Sequence, residues 1–302
     1  MAALLLVSLA AACSGGEAGP GASTTAPPTT AAPTTTITTT SIPPTTTTTS
    51  TTAPPTTTTT STTTTTTTAP PSTTTTTTRP EWRRQPTADD PLRVWVIGDS
   101  LAGGPGYSLG ARGRATGVIT TSVHGEGGTG LVRFDVFDWP AYVAAERPPG
   151  SLDLIVVHMG ANDGQAMLPA QGGAQFGTEE WDRAYAALVD ALLDQLLEFS
   201  SRVYWVGPPI MADPGYDSTI RRINRILRQR AALRLEVRYI DAYTLFSRRG
   251  GYTTEFPGQG GEPIRVRSED GSHFSPAGAD RLARRLMEVI TAEWLEAPPT
   301  GG

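Results

Sequence analysis

The sequence predicts an α/β fold, a mainly parallel five-stranded sheet with helices on both faces, preceded by a long disordered stalk. Three observations predict it. Between residues 92 and 295, short β-rich runs alternate with segments of helical period, the pattern of parallel strands joined by crossover helices. One run, residues 152–158 (Leu-Asp-Leu-Ile-Val-Val-His), is nearly all apolar, as a strand covered on both faces should be. Residues 23–78 are almost entirely Thr, Pro, Ala and Ser, with no aromatic or charged residue. Such a segment has too little to bury to offset the entropy of ordering.

Taken in order, residues 92–97 (Leu-Arg-Val-Trp-Val-Ile) form a β-rich run that ends at Gly98, a strand followed by a turn. Residues 117–123 read as the second strand and 152–158 as the third. Residues 202–206 (Arg-Val-Tyr-Trp-Val), stopped by Gly207-Pro208-Pro209, are the fourth, and 237–240 the fifth. Among the helices, Thr178 is a good N-cap with Glu179 and Glu180 in the first turn. Behind it Trp181, Tyr185, Leu188, Leu192 and Leu196 recur at helical spacing. Residues 218–233 follow, where Arg221, Arg222, Arg225, Arg228 and Arg230 sit among Ile220, Ile223, Ile226 and Leu227. That spacing predicts an amphipathic helix with a solvated basic face rather than a nucleic-acid surface. The last helix has Pro276 in its first turn and runs through Leu282, Leu286, Val289 and Ile290 to about 295.

The 302 residues divide into four parts on composition. Residues 1–22 hold a short apolar run, Met1 to Ala12, followed by Cys13, the single cysteine. An apolar run ending in small residues marks a secretory signal, and Leu9-Ala10-Ala11-Ala12-Cys13 resembles a bacterial lipobox, which implies lipidation of Cys13. Twelve residues are too few for a bilayer that needs ~20. Residues 23–80 are the Thr/Pro-rich stalk, 81–297 the folded domain and 298–302 a disordered tail. Ser/Thr tracts with Pro are typical of extracellular mucin-like stalks. With one cysteine, the folded domain is expected to hold no intrachain disulfide. A net charge of −5 and no basic stripe speak against nucleic acid as a partner. The expected setting is the outer cell surface, with a monomer held to the membrane through Cys13 or otherwise secreted.

Four short blocks carry the chemistry: Gly98-Asp99-Ser100-Leu101, Gly127-Gly128-Thr129-Gly130, Gly160-Ala161-Asn162-Asp163 and Asp270-Gly271-Ser272-His273. In open parallel sheets the ligand crevice lies beyond the carboxyl ends of the strands. Ser100 follows the first strand, the glycine cluster the second and Asn162 the third, so all three fall on that edge. A serine hydroxyl is a poor nucleophile until a base takes its proton. Of the three histidines, His158 lies inside an apolar strand and reads as a satisfied core residue, and His124 in a Gly-rich stretch reads as a bystander. His273 is preceded by Asp270 at three residues, a spacing that lets the carboxylate accept from Nδ1–H and leaves Nε2 for the serine. The negative charge that develops on an attacked carbonyl oxygen needs donors already aimed at it. The backbone N–H of Ser100, an N–H of the glycine cluster and the uncharged amide of Asn162 are the natural set. Asp163 is expected to have a structural task in its turn.

These blocks resemble the SGNH hydrolases, the GDSL-type esterases, over residues 92 to about 295. Phe134-Asp135-Val136-Phe137-Asp138-Trp139-Pro140, Trp205-Val206-Gly207-Pro208-Pro209 and Asp270-Gly271-Ser272-His273-Phe274-Ser275 look like a bacterial extracytoplasmic branch, some members of which are linked to glycan acyl transfer. The resemblance implies a three-layer αβα sandwich, broad ester substrates, and neither metal nor organic cofactor. By matching position it makes Ser100 the nucleophile, His273 the base, Asp270 its orienter and Asn162 an oxyanion donor. Gly128 fits the usual distance after the second strand, and Gly130 fits the Gly-Leu pair of this branch. Both are candidates for the glycine donor, with Gly130 preferred. The expected activity is hydrolysis of acyl esters, acetyl above all, on small molecules or extracellular glycans. O-acyl transfer to a glycan hydroxyl by the same residues and a stalked non-catalytic glycan-binding module are the alternatives.

Overall fold

The computed structural model describes residues 84–296. The segment 1–22 with Cys13, the stalk 23–80 and the tail 298–302 lie outside the described residues.

Five strands, Leu92–Gly98 (β1), Ile119–Gly125 (β2), Leu154–His158 (β3), Val203–Val206 (β4) and Val237–Ile240 (β5), form one sheet in the order β2-β1-β3-β4-β5. Every pairing in it is parallel. The sequence periods place the layers. Within β1, Val94 and Val96 turn to one face and Trp95 and Ile97 to the other. The helices Gly103–Thr116 (α1) and Pro276–Ile290 (α6) cover the first face. Trp139–Glu146 (α2), Glu179–Leu197 (α3) and Pro214–Ala231 (α4) cover the second. The result is the expected three-layer αβα sandwich. Order 2-1-3-4-5 reverses direction between β1 and β3, and ligands in such sheets bind at that switch point. Register sharpens the position: Gly98 pairs with Gly125 of β2 and with His158 of β3, so three strands end level at one rim.

Several elements differ from the sequence reading. The helix α1 holds Gly103, Gly104, Gly106, Gly110 and Gly113, a composition that disfavours helix by ~1 kcal/mol per glycine. Packing overrides propensity there. A Cβ on Gly106 would meet Val123 at 2.7 Å, and one on Gly113 would meet Ile119 at 3.0 Å. The helix can therefore lie directly on β2. The short α2 was also unforeseen, although Asp138 caps it by accepting from Ala141 N at 3.0 Å and Pro140 sits in its first turn. The helix α4 starts at Pro214, a turn before the expected 218, because Asp213 caps it by accepting from Tyr216 N. Its basic face is not simply solvated. Arg222 and Arg225 pair with Asp182 of α3, Arg230 with Asp190, and Arg234, just past α4, with Asp190 and Asp194. The sequence reading missed this partner because the acids lie about forty residues upstream. The helix α6 ends at Ile290, and a single wider turn, Thr291–Leu295, completes the expected length. The short helix Ala242–Leu245 (α5) and the hairpins Ser247–Arg248 (β6) with Gly251–Tyr252 (β7) and Glu255–Pro257 (β8) with Pro263–Arg265 (β9) were not anticipated.

The rim opposite the three level strand ends is closed by ions. Glu293, just past α6, accepts from Arg202 (3.0 and 3.2 Å), from Tyr204 Oη (2.6 Å) and from Arg238. Arg202 precedes β4 and Arg238 lies near the start of β5. At the same rim Arg84 reaches Asp153 with two bonds of 2.7 Å, and Gln85 Nε2 donates to Leu295 O at 3.2 Å.

Candidate active site

Ser100 stands in the turn between β1 and α1, exposed at the switch point. Its Oγ lies 2.8 Å from His273 Nε2, and His273 Nδ1 lies 2.7 Å from Asp270 Oδ2. The other Asp270 oxygen accepts the backbone N–H groups of Ser272 (2.8 Å) and His273 (2.9 Å). One carboxylate thus shapes the turn and orients the ring that the turn carries. Gly271 is required in this turn: it has φ +71°, and a Cβ there would meet Ala212 Cβ at 2.4 Å. Partial burial pushes Asp270 upward, but the two backbone donors and the His273 ring outweigh it and hold the carboxyl at about 2. Asp270 is ionised at any pH where a histidine can act as a base.

Asn162 follows β3 and faces the glycine loop, donating from Nδ2 to Thr129 O at 2.9 Å. An amide nitrogen carries two hydrogens, so one remains for a ligand. The loop is braced from behind. Thr129 Oγ1 donates to Glu126 O (2.7 Å) and accepts from Trp139 Nε1 (3.1 Å). The two candidate glycines do different work. Gly128 is exposed with φ +74° and open space where a Cβ would stand, whereas Gly130 is buried and a Cβ on it would meet Asp163 Oδ1 at 2.2 Å. Neither backbone N–H donates to another group among the described residues. Asp163 accepts from Val132 N (2.9 Å) and Tyr185 Oη (2.8 Å), a structural task that ties its turn to distant segments rather than satisfying the turn's own backbone as expected. Complete burial pushes its carboxyl up to about 6 against those donors.

The remaining histidines stay out of the cluster around Ser100. His158 is buried in β3, and burial drives its ring down to about 3. It is not the satisfied core histidine expected. The Leu101 backbone lies near the ring, yet neither ring nitrogen reaches hydrogen-bond geometry. His124 sits in β2 and stacks on Tyr142 at 4.2 Å beside Phe137 and Trp139, an aromatic packing role that fits the bystander reading. Beside Ser100 and His273 a pocket of about 440 Å³ opens between α1 and the start of α6, walled by Leu101, Pro105, Ser108 and Phe274. A larger hollow of about 630 Å³, between α6 and the β8–β9 hairpin, contains none of Ser100, Asn162 or His273.

The family model described as protein of unknown function, DUF459, matches residues 93–289, from the second residue of β1 almost to the end of α6. The chain belongs to the DUF459 family. The matched segment of this DUF459 chain contains all four blocks. No curated protein matches it. Among solved structures it is similar to a catalytic mutant of an acetylxylan esterase from Geobacillus stearothermophilus, at 18% identity over 68% of this chain and 97% of that one, TM-score 0.47. It is also similar to a candidate SGNH hydrolase from Slackia heliotrinireducens, at 20% identity over 66% and 99% of the two chains, TM-score 0.45. A third similar structure, a candidate acylhydrolase from Bacteroides fragilis, shares 15% identity over 69% and 90%, TM-score 0.45.

Two further residues of the DUF459 chain shape the site and were not singled out from sequence. Asp99, fully buried, accepts Leu101 N at 2.9 Å on one oxygen and Gly160 N (3.1 Å) and Ala161 N (3.0 Å) on the other. It clips the serine turn to the asparagine turn. Burial pushes its carboxyl up to about 7, against these backbone donors. Arg267, also fully buried, donates to the carbonyls of Ile210 (2.7 Å), Gly271 (3.1 Å), Ser272 (2.6 Å) and His273 (3.3 Å). Phe274, Tyr252 and Phe246 surround its guanidinium at 5.4 to 6.0 Å. An acid between an apolar strand and a serine is a readable signal for the first. Nothing in the local sequence marks the second.

Proposed function

We propose that this DUF459 chain is a serine ester hydrolase of SGNH type. The observation that carries the reading is the unbroken hydrogen-bonded chain Ser100–His273–Asp270 at the switch point, with the Asn162 amide and the glycine loop beside it. In this reading Ser100 Oγ attacks an ester carbonyl while His273 Nε2 takes its proton. The carbonyl oxygen becomes an oxyanion held by Ser100 N–H, by the free hydrogen of Asn162 Nδ2 and by an N–H of Gly128 or Gly130. The C–O bond to the alcohol then breaks, and His273 returns its proton to the departing oxygen. Water repeats the sequence on the acyl-enzyme, freeing the acid and Ser100. Asp270 stays ionised throughout, fixing the Nδ1–H tautomer and stabilising the imidazolium.

The ester is proposed to be a short acyl group, acetyl above all, on a cell-surface glycan reached by the 23–80 stalk, with Cys13 as the lipid anchor. The test of the enzyme is an organophosphonate serine probe read by mass spectrometry. An adduct on Ser100 in the native chain and its loss in Ser100→Ala are expected. A native chain with neither adduct nor ester turnover would sink the proposal. The anchor is tested separately: Cys13→Ala should move the protein from the membrane fraction to the medium with unchanged turnover of a soluble ester.

A further inference from the structure

The pocket beside Ser100 lies on one side of the reacting carbon, and its position says which half of the ester it holds. We infer that this pocket, between α1 and the first turn of α6, is the alcohol subsite, taking an uncharged leaving alcohol the size of one or two rings. The inference rests on the serine-ester reading above. Once Ser100 Oγ is bonded to the carbonyl carbon, three other substituents must be placed. The oxyanion turns to Asn162 and the glycine loop. The leaving oxygen must receive its proton from His273 Nε2, so it lies on the side of the ring. The pocket is bordered by Ser100 and His273 and by neither Asn162 nor any residue of the glycine loop. The alcohol therefore departs into it.

The walls give the chemistry of the alcohol. Leu101, Pro105, Phe274 and Pro276 present apolar surface, suited to the C–H faces of a ring. Ser108 supplies a half-buried hydroxyl that makes no hydrogen bond among the described residues, free to meet a neighbouring hydroxyl of the alcohol. No arginine borders the pocket, and the chain contains no lysine. An anionic alcohol such as a sugar phosphate would find no counter-charge there. A volume of about 440 Å³ falls at the lower end of the ~300–1,000 Å³ of ligand pockets, room for one or two rings of a larger glycan.

The test fills the pocket and reads selectivity. In Ser108→Phe the added ring projects from α1 into the space the alcohol would occupy. Ethyl acetate and cyclohexyl acetate vary the alcohol at constant acyl group, and ethyl acetate and ethyl butyrate vary the acyl group at constant alcohol. Relative to the native chain, the cyclohexyl-to-ethyl ratio of kcat/KM should fall about tenfold or more while the butyrate-to-acetate ratio holds within about twofold. A fall in the butyrate ratio instead, or no movement in either, overturns the assignment. The native chain supplies a second measurement if the variant does not fold: cyclohexanol should inhibit competitively at a concentration about tenfold lower than ethanol. Equal inhibition by the two alcohols would also overturn it. Absence of turnover and of a Ser100 adduct in the native chain marks failure of the serine-ester reading itself, a different result from either.

Discussion

The serine and the histidine reach their 2.8 Å contact from two loops that are held in opposite ways. The serine turn is pinned by a buried carboxyl: Asp99 collects three backbone N–H groups from the ends of β1 and β3. The histidine turn is pinned by a buried cation: Arg267 gives its N–H groups to four backbone carbonyls, three of them in the turn itself. Neither side chain forms an ion pair among the described residues; each is answered by peptide dipoles. The difference follows from what each loop offers. A turn entering a helix at a strand end exposes N–H groups, and carboxyl oxygens satisfy them. A loop that turns away from helical geometry before α6 presents carbonyls, and only a donor with several N–H groups in a planar fork can gather them. The lesson is that a contact between segments 173 residues apart depends on two buried ionisable side chains that stand behind it.

The largest effect comes from deleting the contact while leaving both pins. Ser100→Ala and His273→Ala should each lower kcat on a short aryl ester by ~10⁴-fold or more, with the denaturation midpoint unchanged. Near-native turnover in either would refute the triad.

Removing the pins should cost less activity and more stability. Asp99→Ala strands three buried N–H groups at ~1–3 kcal/mol each, and urea unfolding should show a loss of several kcal/mol. Arg267→Met should cost less, ~1–3 kcal/mol in all, because carbonyls tolerate poor partners better. Its signature is kinetic: kcat should fall with KM nearly constant, and Arg267→Lys should recover part of it. A Met variant with native kcat would show that the His273 turn holds itself.

The two halves should also respond oppositely to pH. Burial raises Asp99 to about 7 from 3.8, so the folded state holds that proton more tightly than the unfolded chain. Its contribution is present below about 4 and is lost as pH rises through about 7. Asp270 is lowered to about 2, so its contribution is present above about 4 and is lost as pH falls to about 2. Asp99→Asn should flatten the stability profile in the upper window and Asp270→Asn in the lower. Asp163, also raised, to about 6, keeps part of the upper slope in Asp99→Asn. Denaturation midpoints across both windows check this, and the same slope change in both variants would erase the distinction.

The smallest effect marks the contrast with surface charge. Arg222→Gln removes an ion pair to Asp182 and should cost ~1 kcal/mol or less, shrinking further in high salt. A loss as large as that of Arg267→Met would mean that the α3–α4 pairs are structural pins too.

What could be read in the sequence followed the range of each signal. The strands, the Thr178 cap and the four blocks were legible because their cues lie within a few residues of one another. Helix α1 was not, since its five glycines argue against helix until β2 is present for them to lie on. The solvated basic face assigned to α4 holds for Arg221, Arg225 and Arg228, which are exposed, but its pairing was missed for a similar reason: the partners Asp182, Asp190 and Asp194 belong to another helix. Their four- and eight-residue spacing was a cue that could have been used. Asp99 and Arg267 act through main-chain groups as far as 62 and 57 residues away; the position of Asp99 between an apolar strand and a serine was a cue to its importance, but no side-chain pattern marks Arg267. His158 shows the converse, a polar residue placed in the core as expected but without the partners expected there.

The joined ends of the domain set how it can be mounted. Gln85 and Leu295 are hydrogen-bonded to each other at the rim where Glu293 holds Arg202 and Arg238, and α6 runs from beside His273 back to that rim, ~22 Å at 1.5 Å per residue. The described chain therefore enters and leaves underneath, with Ser100 on the far side. A bead, chip or fusion partner coupled at either end would leave the mouth of the site facing away from the support, and a ring closed through both ends would cross no part of the substrate's approach.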